Sequence, residues 1–339
     1  MIEERFMHRA LELAKKGQGS VAPNPMVGCV IVHEGKIIGE GYHQIFGGPH
    51  AEVNAINSVM YEELLPLSDV YVTLEPCSHL GKTPPCADLL LEKKVKRVII
   101  CNQDPFPAVS GRGIAKLQNA GIEVQENVLS QLGKALNKRF FTFHEKKRPY
   151  VILKWAQTQD RFLARENFDS KWISNSRSRQ LVHKWRSEEA AILVGAKTAQ
   201  YDNPTLTVRD WEGKNPVRVV IDREVKLDTS LHLFDGEVST ICFTSVEKKS
   251  KHNLEYIMLS EITPATILSA LYEKGIQSII IEGGAQVLGA FIDHNVWDEA
   301  RKFTAPVTFG IGIQAPKLAG QLAHSEFVNE DLLETYLNI

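Results

Sequence analysis

The most informative pattern in the N-terminal half is Gly48-Pro49-His50-Ala51-Glu52, followed by Pro76-Cys77 and, after eight intervening residues, by Cys86. One imidazole and two thiolates are ligands that zinc accepts in proteins. Three protein ligands leave a tetrahedral zinc ion one open position, which is typical of a catalytic site. We therefore predict that His50, Cys77 and Cys86 hold a catalytic Zn²⁺.

Glu52 lies two residues after the histidine, so its carboxylate can stay off the metal and still reach a water at the open position. We predict that Glu52 takes the water proton and passes it to a ring nitrogen and a leaving amine. A structural zinc site is the first alternative, but it would need a fourth ligand, and His79 is the only close candidate. A core histidine with two incidental cysteines is the second, although this pattern is rare by chance.

Apolar segments of strand and helix period alternate around these residues. VGCVIV and KIIGEGY flank His33-Glu34-Gly35, which predicts a hairpin with glycine in the turn. The other predicted elements are a helix at 51–60, a strand at 69–75, a helix at 87–94, a strand at 97–102, a helix at 113–120 and a helix near 130–143. This alternation predicts an α/β fold.

A charged segment, residues 144–148, is followed by Pro149, which disfavours helical geometry in the residue before it. We predict a domain boundary here, with domains at 1–146 and 147–339. The second half is also predicted to be α/β, with strands in YVILKWAQT, AAILVGA, VRVVID, SIIIEGG and KFTAPV and helices near 175–186, 264–274 and 285–293.

Composition and charge restrict the partners of this 339-residue chain. The formal net charge is −2 and Lys and Arg are scattered, so no basic face indicates a nucleic-acid partner. The N-terminal segment has an amphipathic pattern instead of the apolar core of a secretory signal, and no later segment is apolar enough to span a bilayer. We expect a cytoplasmic protein that acts on small molecules and binds neither nucleic acid nor membrane.

The five cysteines are an odd number, which argues against a disulfide framework. Cys29, Cys101 and Cys242 lie within apolar segments, so we predict that they are core residues. Of the five cysteines, only Cys77 and Cys86 are predicted to bind metal.

Longer motifs surround the predicted zinc ligands. They are Ala22-Pro23-Asn24-Pro25-Met26-Val27-Gly28, Gly41-Tyr42-His43, Gly48-Pro49-His50-Ala51-Glu52, Glu75-Pro76-Cys77-Ser78-His79 and Gly81-Lys82-Thr83-Pro84-Pro85-Cys86. This set resembles the cytidine-deaminase-like superfamily and, within it, the RibD family of bifunctional riboflavin-biosynthesis proteins. The resemblance implies a three-layer cytidine-deaminase-like domain that replaces an exocyclic amine of a phosphoribosylaminopyrimidine by a carbonyl oxygen.

The same resemblance implies that Asn24, His43 and Lys82 bind the substrate. Asn and His can hydrogen-bond to base edges, and Lys82 would supply a cation for the phosphate. Each residue also has a structural alternative: Asn24 as a turn residue between prolines, His43 as a packing residue of the hairpin, and Lys82 as a solvated loop lysine.

The second half lacks a G-x-G-x-x-G motif after its first strand, so a Rossmann dinucleotide domain is not indicated. Glu282-Gly283-Gly284 lies between a predicted strand and helix, where small residues let a phosphate approach backbone N–H groups, although such a turn also needs glycine for conformational reasons alone. The other motifs are Lys154-Trp155-Ala156, Trp172-Ile173-Ser174, Arg186, Gly195-Ala196-Lys197-Thr198 and Asp202-Asn203-Pro204-Thr205-Leu206-Thr207-Val208-Arg209. Together they resemble the RibD reductase domain, which implies a dihydrofolate-reductase-like fold that uses NADPH.

Two sets of contacts follow from this second resemblance. The residues implied to contact NADPH are Ala156, Trp172, Thr198, Asp202, Gly284, Ala285, Gln286, Val287, Leu288 and Gly289. The residues implied to contact substrate are Ser170, Arg186, Leu206, Arg209 and Glu282. The two arginines are suited to a phosphate clamp, because guanidinium presents paired donors, but a solvated Arg186 and a surface ion pair of Arg209 are the alternatives.

Two positions depart from the family pattern. Arg161 follows Thr158-Gln159-Asp160 where the family usually has glycine, and the segment after Glu299 is Ala300-Arg301-Lys302-Phe303-Thr304-Ala305-Pro306. Both departures concern details of the reductase pocket.

The sequence thus predicts consecutive deamination and NADPH-dependent reduction of a phosphoribosylaminopyrimidine on the way to riboflavin. The first alternative is a nucleobase or nucleoside deaminase whose C-terminal half only binds, against which the missing basic patch counts. The second is a zinc-stabilised scaffold without activity, for which Glu52 would be unnecessary. The sequence is compatible with a homo-oligomer and leaves the oligomeric state open.

Overall fold

Two separate β-sheets organise the chain, one of five strands and one of nine. The computed structural model describes residues 3–78, 84–107, 109–170 and 173–338. The chain divides into two compact units, Met1–Lys146 (unit 1) and Lys147–Ile339 (unit 2). Lys147 has a left-handed backbone, with φ at 52°, directly after the last helix of unit 1.

Unit 1 contains six described helices and five described strands. The helices are α1 (Glu4–Lys15), α2 (Ala51–Asn57), α3 (Cys86–Glu92), α4 (Arg112–Asn119), α5 (Ser130–Leu136) and α6 (Lys138–Lys146), with a 3₁₀ helix at Glu62–Leu67. The strands are β1 (Gly28–His33), β2 (Lys36–Tyr42), β3 (Asp69–Val72), β4 (Arg97–Ile100) and β5 (Glu123–Gln125). Their order across the sheet is β2-β1-β3-β4-β5.

Alternate residues of β1 face opposite sides of this sheet, as a strand requires. Cys29 and Ile31 join the core formed with α2, α3 and α4, whereas Val30 and Val32 pack with α1 on the other side. Helices therefore cover both faces, which makes unit 1 a three-layer α/β structure. β1 pairs antiparallel with β2 and β3, and β3, β4 and β5 run parallel.

Two local features refine the predictions for unit 1. The hairpin turn has positive φ at both Glu34 and Gly35, 47° and 72°, so glutamate also takes the left-handed conformation. The helix predicted near 130–143 is two helices, which break at Asn137. The Asn137 side chain hydrogen-bonds to the backbone N and O of Met26, 2.8 Å each, and these bonds hold the break in place.

Unit 2 contains four described helices and eleven described strands. The helices are α7 (Ser176–Glu188), α8 (Ala196–Asp202), α9 (Pro264–Glu273) and α10 (Ala285–Asp293). The strands are β6 (Tyr150–Thr158), β7 (Phe162–Ala164), β8 (Ala191–Gly195), β9 (Val217–Ile221), β10 (Thr240–Thr244), β11 (Leu254–Met258), β12 (Ser278–Ile281), β13 (Glu299–Ala305), β14 (Ile313–Gln314), β15 (Gln321–Val328) and β16 (Asp331–Leu337).

The large sheet has the order β11-β10-β9-β8-β12-β6-β13-β16-β15. Its strands from β11 to β13 are parallel, and β16 and β15 add antiparallel strands at one edge. α9 and α10 pack on one face, and α7 and α8 pack on the other. The carboxyl ends of the parallel strands therefore lie along one edge, where open α/β sheets bind ligands.

Several elements of unit 2 were not predicted from sequence. These are α8, β7, β10, β11, β14, β15 and β16, most of which are short or follow no clear alternation. Arg161, where the family usually has glycine, has φ at 67°. The glycine preference at this position thus has a conformational cause, and arginine adopts the same backbone conformation here. The three cysteines predicted as core residues, Cys29, Cys101 and Cys242, are fully buried, which confirms that prediction.

Candidate active sites

Three loops and helix starts of unit 1 bring the predicted zinc ligands together. His50 immediately precedes α2, Cys77 follows β3, and Cys86 is the first residue of α3. His50 Nδ1 lies 3.3 Å from Cys86 Sγ and 3.6 Å from Cys77 Sγ. Within the described part of the chain, these three residues are the only group whose ligand atoms could hold a metal ion, with all three atoms within 4.8 Å of one another.

The geometry of this group fits zinc. Zinc–nitrogen and zinc–sulfur bonds of about 2.1 and 2.3 Å place the nitrogen and a sulfur of a tetrahedral site about 3.6 Å apart. The hydrogen bond that Cys77 Sγ shares with Cys86 lowers the pKa of the Cys77 thiol, so that thiol readily gives the thiolate that zinc needs. The donor set supplies three ligands, and Glu52 lies two residues after His50.

Glu52 is the second residue of α2, and its side chain is almost fully buried. Burial, and to a smaller extent the charge of Cys77, raise the pKa of the Glu52 carboxyl to about 7. A carboxyl that titrates near neutral pH can both take and give a proton, which suits general acid–base work. The sequence prediction for Glu52 is therefore consistent with its surroundings.

Asn24 and His43 lie beside the metal ligands, as a substrate-binding role would require. Asn24 Nδ2 donates to His43 Nε2 across 3.1 Å, and His43 Nδ1 lies 3.0 Å from the carbonyl oxygen of Pro49. The His43 and His50 rings are 5.5 Å apart in an edge-to-face arrangement. Burial lowers the pKa of His43, so its ring is neutral at neutral pH. Both contacts to substrate remain predictions, and Lys82 and His79 lie outside the described residues.

A buried carboxylate that sequence reasoning did not single out fixes the cysteine loop. The Glu75 carboxylate, two residues before Cys77, accepts four hydrogen bonds from the backbone N–H groups of Asp104, Gly111, Gly113 and Ile114, at 2.9–3.3 Å. A Cβ on Gly113 would lie 2.0 Å from the Pro76 carbonyl oxygen. The loop that carries Cys77 is thus held against the start of α4. In the sequence, the Glu-Pro-Cys motif is the only indication that Glu75 belongs to this site.

The second candidate site is a cavity of about 1230 Å³ in unit 2. It opens at the carboxyl ends of β8, β9 and β12, beside the middle of β6 at Lys154–Ala156. Most residues that the resemblance implied line it: Ala156, Ser170, Arg186, Thr198, Asp202, Leu206, Arg209, Glu282, Gly284, Ala285, Gln286 and Val287. The described structure thereby brings together residues that are up to 131 positions apart in sequence, from Ala156 to Val287.

A charged group lies at the centre of this cavity lining. Arg186 donates to both oxygens of Glu282, at 3.3 and 2.9 Å, and Lys154 Nζ lies 3.7 Å from the same carboxylate. Burial alone would raise the pKa of the Glu282 carboxyl, but the charges of Arg186 and Lys154 outweigh burial and lower it to about 2. Burial lowers the pKa of the Lys154 ammonium. The sequence analysis named Lys154 only as part of a motif and gave it no role. A lysine within an apolar strand could have indicated a functional position.

The turn before α10 packs closely on the helix and leaves its first backbone N–H groups without a side-chain cap. α10 begins after Gly284 without a side-chain cap on its first N–H groups, and a Cβ on Gly283 would lie 2.7 Å from Val287 Cβ. Uncapped N–H groups at the start of a nine-residue helix favour an anion, as the pyrophosphate of NADPH requires. Leu288 and Gly289 do not line the cavity, and the Leu288 side chain is buried in the core.

Ser170, Asp202, Leu206 and Arg209 are further predicted contacts that line this cavity. Ser170 Oγ donates to the Asp202 carboxylate at 3.2 Å, and Arg209 donates to the Thr205 hydroxyl. Leu206 is buried and left-handed, with φ at 54°. Arg186 is paired with Glu282, and a phosphate clamp of Arg186 and Arg209 stays a prediction. Trp172 lies outside the described residues.

Comparisons with known proteins match both units. Residues 1–102 match the cytidine and deoxycytidylate deaminase zinc-binding region, and residues 149–335 match the RibD C-terminal domain. The riboflavin biosynthesis protein RibD of Bacillus amyloliquefaciens is 43% identical over 94% of this chain and 88% of its own length.

Alignments with two solved structures each span 99% of this chain and 98% of the other chain. The diaminohydroxyphosphoribosylaminopyrimidine deaminase/5-amino-6-(5-phosphoribosylamino)uracil reductase of Thermotoga maritima is 42% identical with a TM-score of 0.89. Acinetobacter baumannii RibD is 32% identical with a TM-score of 0.90.

These matches and the two sites define a class of protein: a cytidine-deaminase-like zinc domain followed by a dihydrofolate-reductase-like domain. The predicted fold of both halves is confirmed. Within this class, the chain belongs to the RibD family, and the resemblance drawn from its motifs is confirmed over almost its full length. None of the helices in the described ranges is long and apolar enough to cross a membrane.

Proposed function

We propose that this chain carries out two consecutive steps of riboflavin biosynthesis. The first is zinc-dependent hydrolytic deamination of 2,5-diamino-6-(5-phosphoribosylamino)pyrimidin-4(3H)-one. The second is NADPH-dependent reduction of the ribosyl group of 5-amino-6-(5-phosphoribosylamino)uracil to ribityl. The observation that carries this proposal is that one chain matches the deaminase zinc-binding region over residues 1–102 and the RibD C-terminal domain over 149–335.

In unit 1, His50, Cys77 and Cys86 would hold the zinc ion. When bound, zinc lowers the pKa of a coordinated water and so supplies a hydrolytic nucleophile at neutral pH. Glu52 takes a proton from the attacking water and passes protons to the ring nitrogen and the leaving amine, so that ammonia departs and a carbonyl oxygen remains. Asn24 and His43 orient the pyrimidine, and Lys82 is proposed to bind the phosphate.

In unit 2, the turn at Gly284 and the start of α10 would hold the pyrophosphate of NADPH. When bound, NADPH would supply a hydride to C1′ of the opened ribosylamine, and a proton from solvent would complete the reduction. The ion-paired group of Glu282, Arg186 and Lys154 provides fixed hydrogen-bonding partners for the substrate, and Arg209 provides a cation for its phosphate. Orientation and exclusion of water do most of the catalytic work in this unit.

The substrates are small molecules, and the protein is proposed to act in the cytoplasm without nucleic-acid or membrane partners. The balance of 39 basic and 41 acidic residues supports this proposal, because no excess of basic charge is available for a nucleic acid. A homo-oligomer stays compatible with the sequence.

The test of the proposed function is metal analysis of the purified chain with two assays. Ammonia release from the diaminopyrimidine and NADPH oxidation with the deaminated intermediate should both be observed, with one zinc ion per chain. Ammonia from cytidine or an RNA adenosine, with none from the phosphoribosyl pyrimidine, would establish a different deaminase. Deamination without NADPH oxidation would reduce the protein to a monofunctional enzyme.

A further inference from the structure

His183 is a buried histidine on α7 that lines the unit 2 cavity. None of the motifs that led to the proposed function contains it. Its Nδ1 lies 3.0 Å from the carbonyl oxygen of Thr207 and 3.3 Å from the backbone N of Arg209. Its Nε2 lies 3.5 Å from a carboxylate oxygen of Asp210. One imidazole thus contacts three residues of the segment that follows α8.

The charges around His183 keep its ring neutral at neutral pH. Burial lowers the pKa of His183, and the charges of Arg186 on the same helix and of Arg209 lower it further, while Asp210 acts in the opposite direction. A neutral imidazole has one N–H and one acceptor nitrogen. With the proton on Nδ1 the ring donates to Thr207 O. With the proton on Nε2 the ring accepts from Arg209 N and donates to Asp210, so either tautomer ties the segment to α7.

The segment from Asn203 to Arg209 needs such a tie because its backbone is strained. Asn203 and Leu206 have positive φ, 39° and 54°, and Leu206 is only 2% exposed. A buried branched residue in the left-handed region persists only where its surroundings hold it there. Arg186, one turn after His183 on α7, also donates to Thr207 O at 3.3 Å. Two residues of one helix face therefore hold the same carbonyl group.

We propose that His183 is a positioning residue for the reductase reaction. Its imidazole fixes the segment from Asn203 to Arg209, so that Leu206 and Arg209 can contact the phosphoribosyl part of the substrate. This inference rests on the proposed function for the identity of that substrate. It assigns to His183 no contact with the reacting atoms, because its hydrogen bonds go to the backbone of the segment.

Three substitutions test the inference, because they place hydrogen-bonding groups differently. In His183→Asn the amide takes the place of Nδ1, in His183→Gln it takes the place of Nε2, and His183→Leu has neither. The His183→Leu change should raise the reductase KM for the deaminated intermediate about 10-fold, the effect of a lost hydrogen bond, with kcat within about twofold. His183→Asn should restore KM to within about threefold, and His183→Gln should resemble His183→Leu.

A binding measurement separates this inference from the proposed function. Calorimetric titration with ribose 5-phosphate should give the same ranking of dissociation constants, whether or not the chain reduces the intermediate. The deamination rate of the same variants should stay at the wild-type value. The exposed control variant His252→Leu should keep wild-type KM, ribose 5-phosphate binding and deamination. Wild-type KM in all three His183 variants would overturn the inference. The same fall in kcat, rise in KM and loss of thermal stability in all three variants would also overturn it. So would a wild-type protein that does not bind ribose 5-phosphate.

Discussion

In unit 1 the predicted metal ligands and the predicted acid–base carboxyl come from residues 50–86, and His50 Nδ1 lies 3.3–3.6 Å from the two cysteine Sγ atoms. In unit 2 the cavity takes side chains from residues spread between Lys154 and Ile313, on several strands and on all four described α-helices. The first site works through a few indispensable atoms. The second spreads binding over many groups, each of which contributes a part. Single changes should therefore abolish the activity of unit 1 and only weaken that of unit 2.

The largest effect expected is that of metal removal. Treatment with a zinc chelator should abolish ammonia release, because no side chain of unit 1 can replace zinc in activating water. NADPH oxidation with the deaminated intermediate should stay within about twofold of the untreated rate, since no metal is needed for hydride transfer. Parallel loss of both activities, reversed by zinc, would show that the two sites are not independent.

Glu52→Gln should lower the deamination rate by about 10²–10⁴-fold, the usual contribution of a general acid–base group. Zinc content and reductase activity should not change, because Glu52 is not a ligand. Glu123→Gln, at an exposed position of the same unit, is the matched control and should behave as wild type. A Glu52→Gln variant with deamination near the wild-type rate would refute the proton-transfer role.

Glu282 gives a pH-dependent prediction for unit 2. Its folded-state pKa of about 2 lies below the usual value for glutamate, so its ion pairs stabilise the fold above about pH 4.3 and are lost as the pH falls toward 2. The difference in unfolding free energy between wild type and Glu282→Gln should shrink by about 3 kcal/mol over that range.

Urea unfolding followed by tryptophan fluorescence measures this difference in unit 2, because all five tryptophans lie after residue 147. Glu326→Gln, at an exposed carboxylate, should show no such trend. A difference that stays constant between pH 6 and pH 3 would contradict the ion-paired state of Glu282.

The smallest effect is expected at the NADPH contact of Thr198. Its Oγ1 would lie 3.7 Å from a Cβ placed on Gly284, next to the turn proposed to hold the pyrophosphate. Thr198→Val keeps the shape and removes one hydroxyl, so the dissociation constant for NADPH should rise about fivefold. Fluorescence titration with NADPH measures this dissociation constant. An unchanged value would show that the Thr198 hydroxyl does not bind the cofactor and would leave the backbone of α10 as the proposed contact.

Sequence patterns predicted the α/β alternation well because the strands and longer helices bury continuous apolar faces. They predicted one helix near 130–143, where the structure has a break, because the hydrogen bonds from Asn137 to Met26 join residues 111 positions apart. Such long-range bonds leave no local pattern. β7 and β14 were missed for a different reason, since strands of three and two residues give too little periodicity to predict a strand.

The sequence alone was enough to predict the zinc ligands and the role of Glu52 and to identify the family, because the ligand types and their spacing are chemically restrictive within a short stretch of chain. The contacts of Glu75 with the start of α4, of Glu282 with Arg186 and Lys154, and of His183 with Thr207 and Arg209 could be read only from the tertiary structure. These contacts depend on which strand ends and helix faces meet. That arrangement is set by packing of the whole sheet, which no local motif encodes.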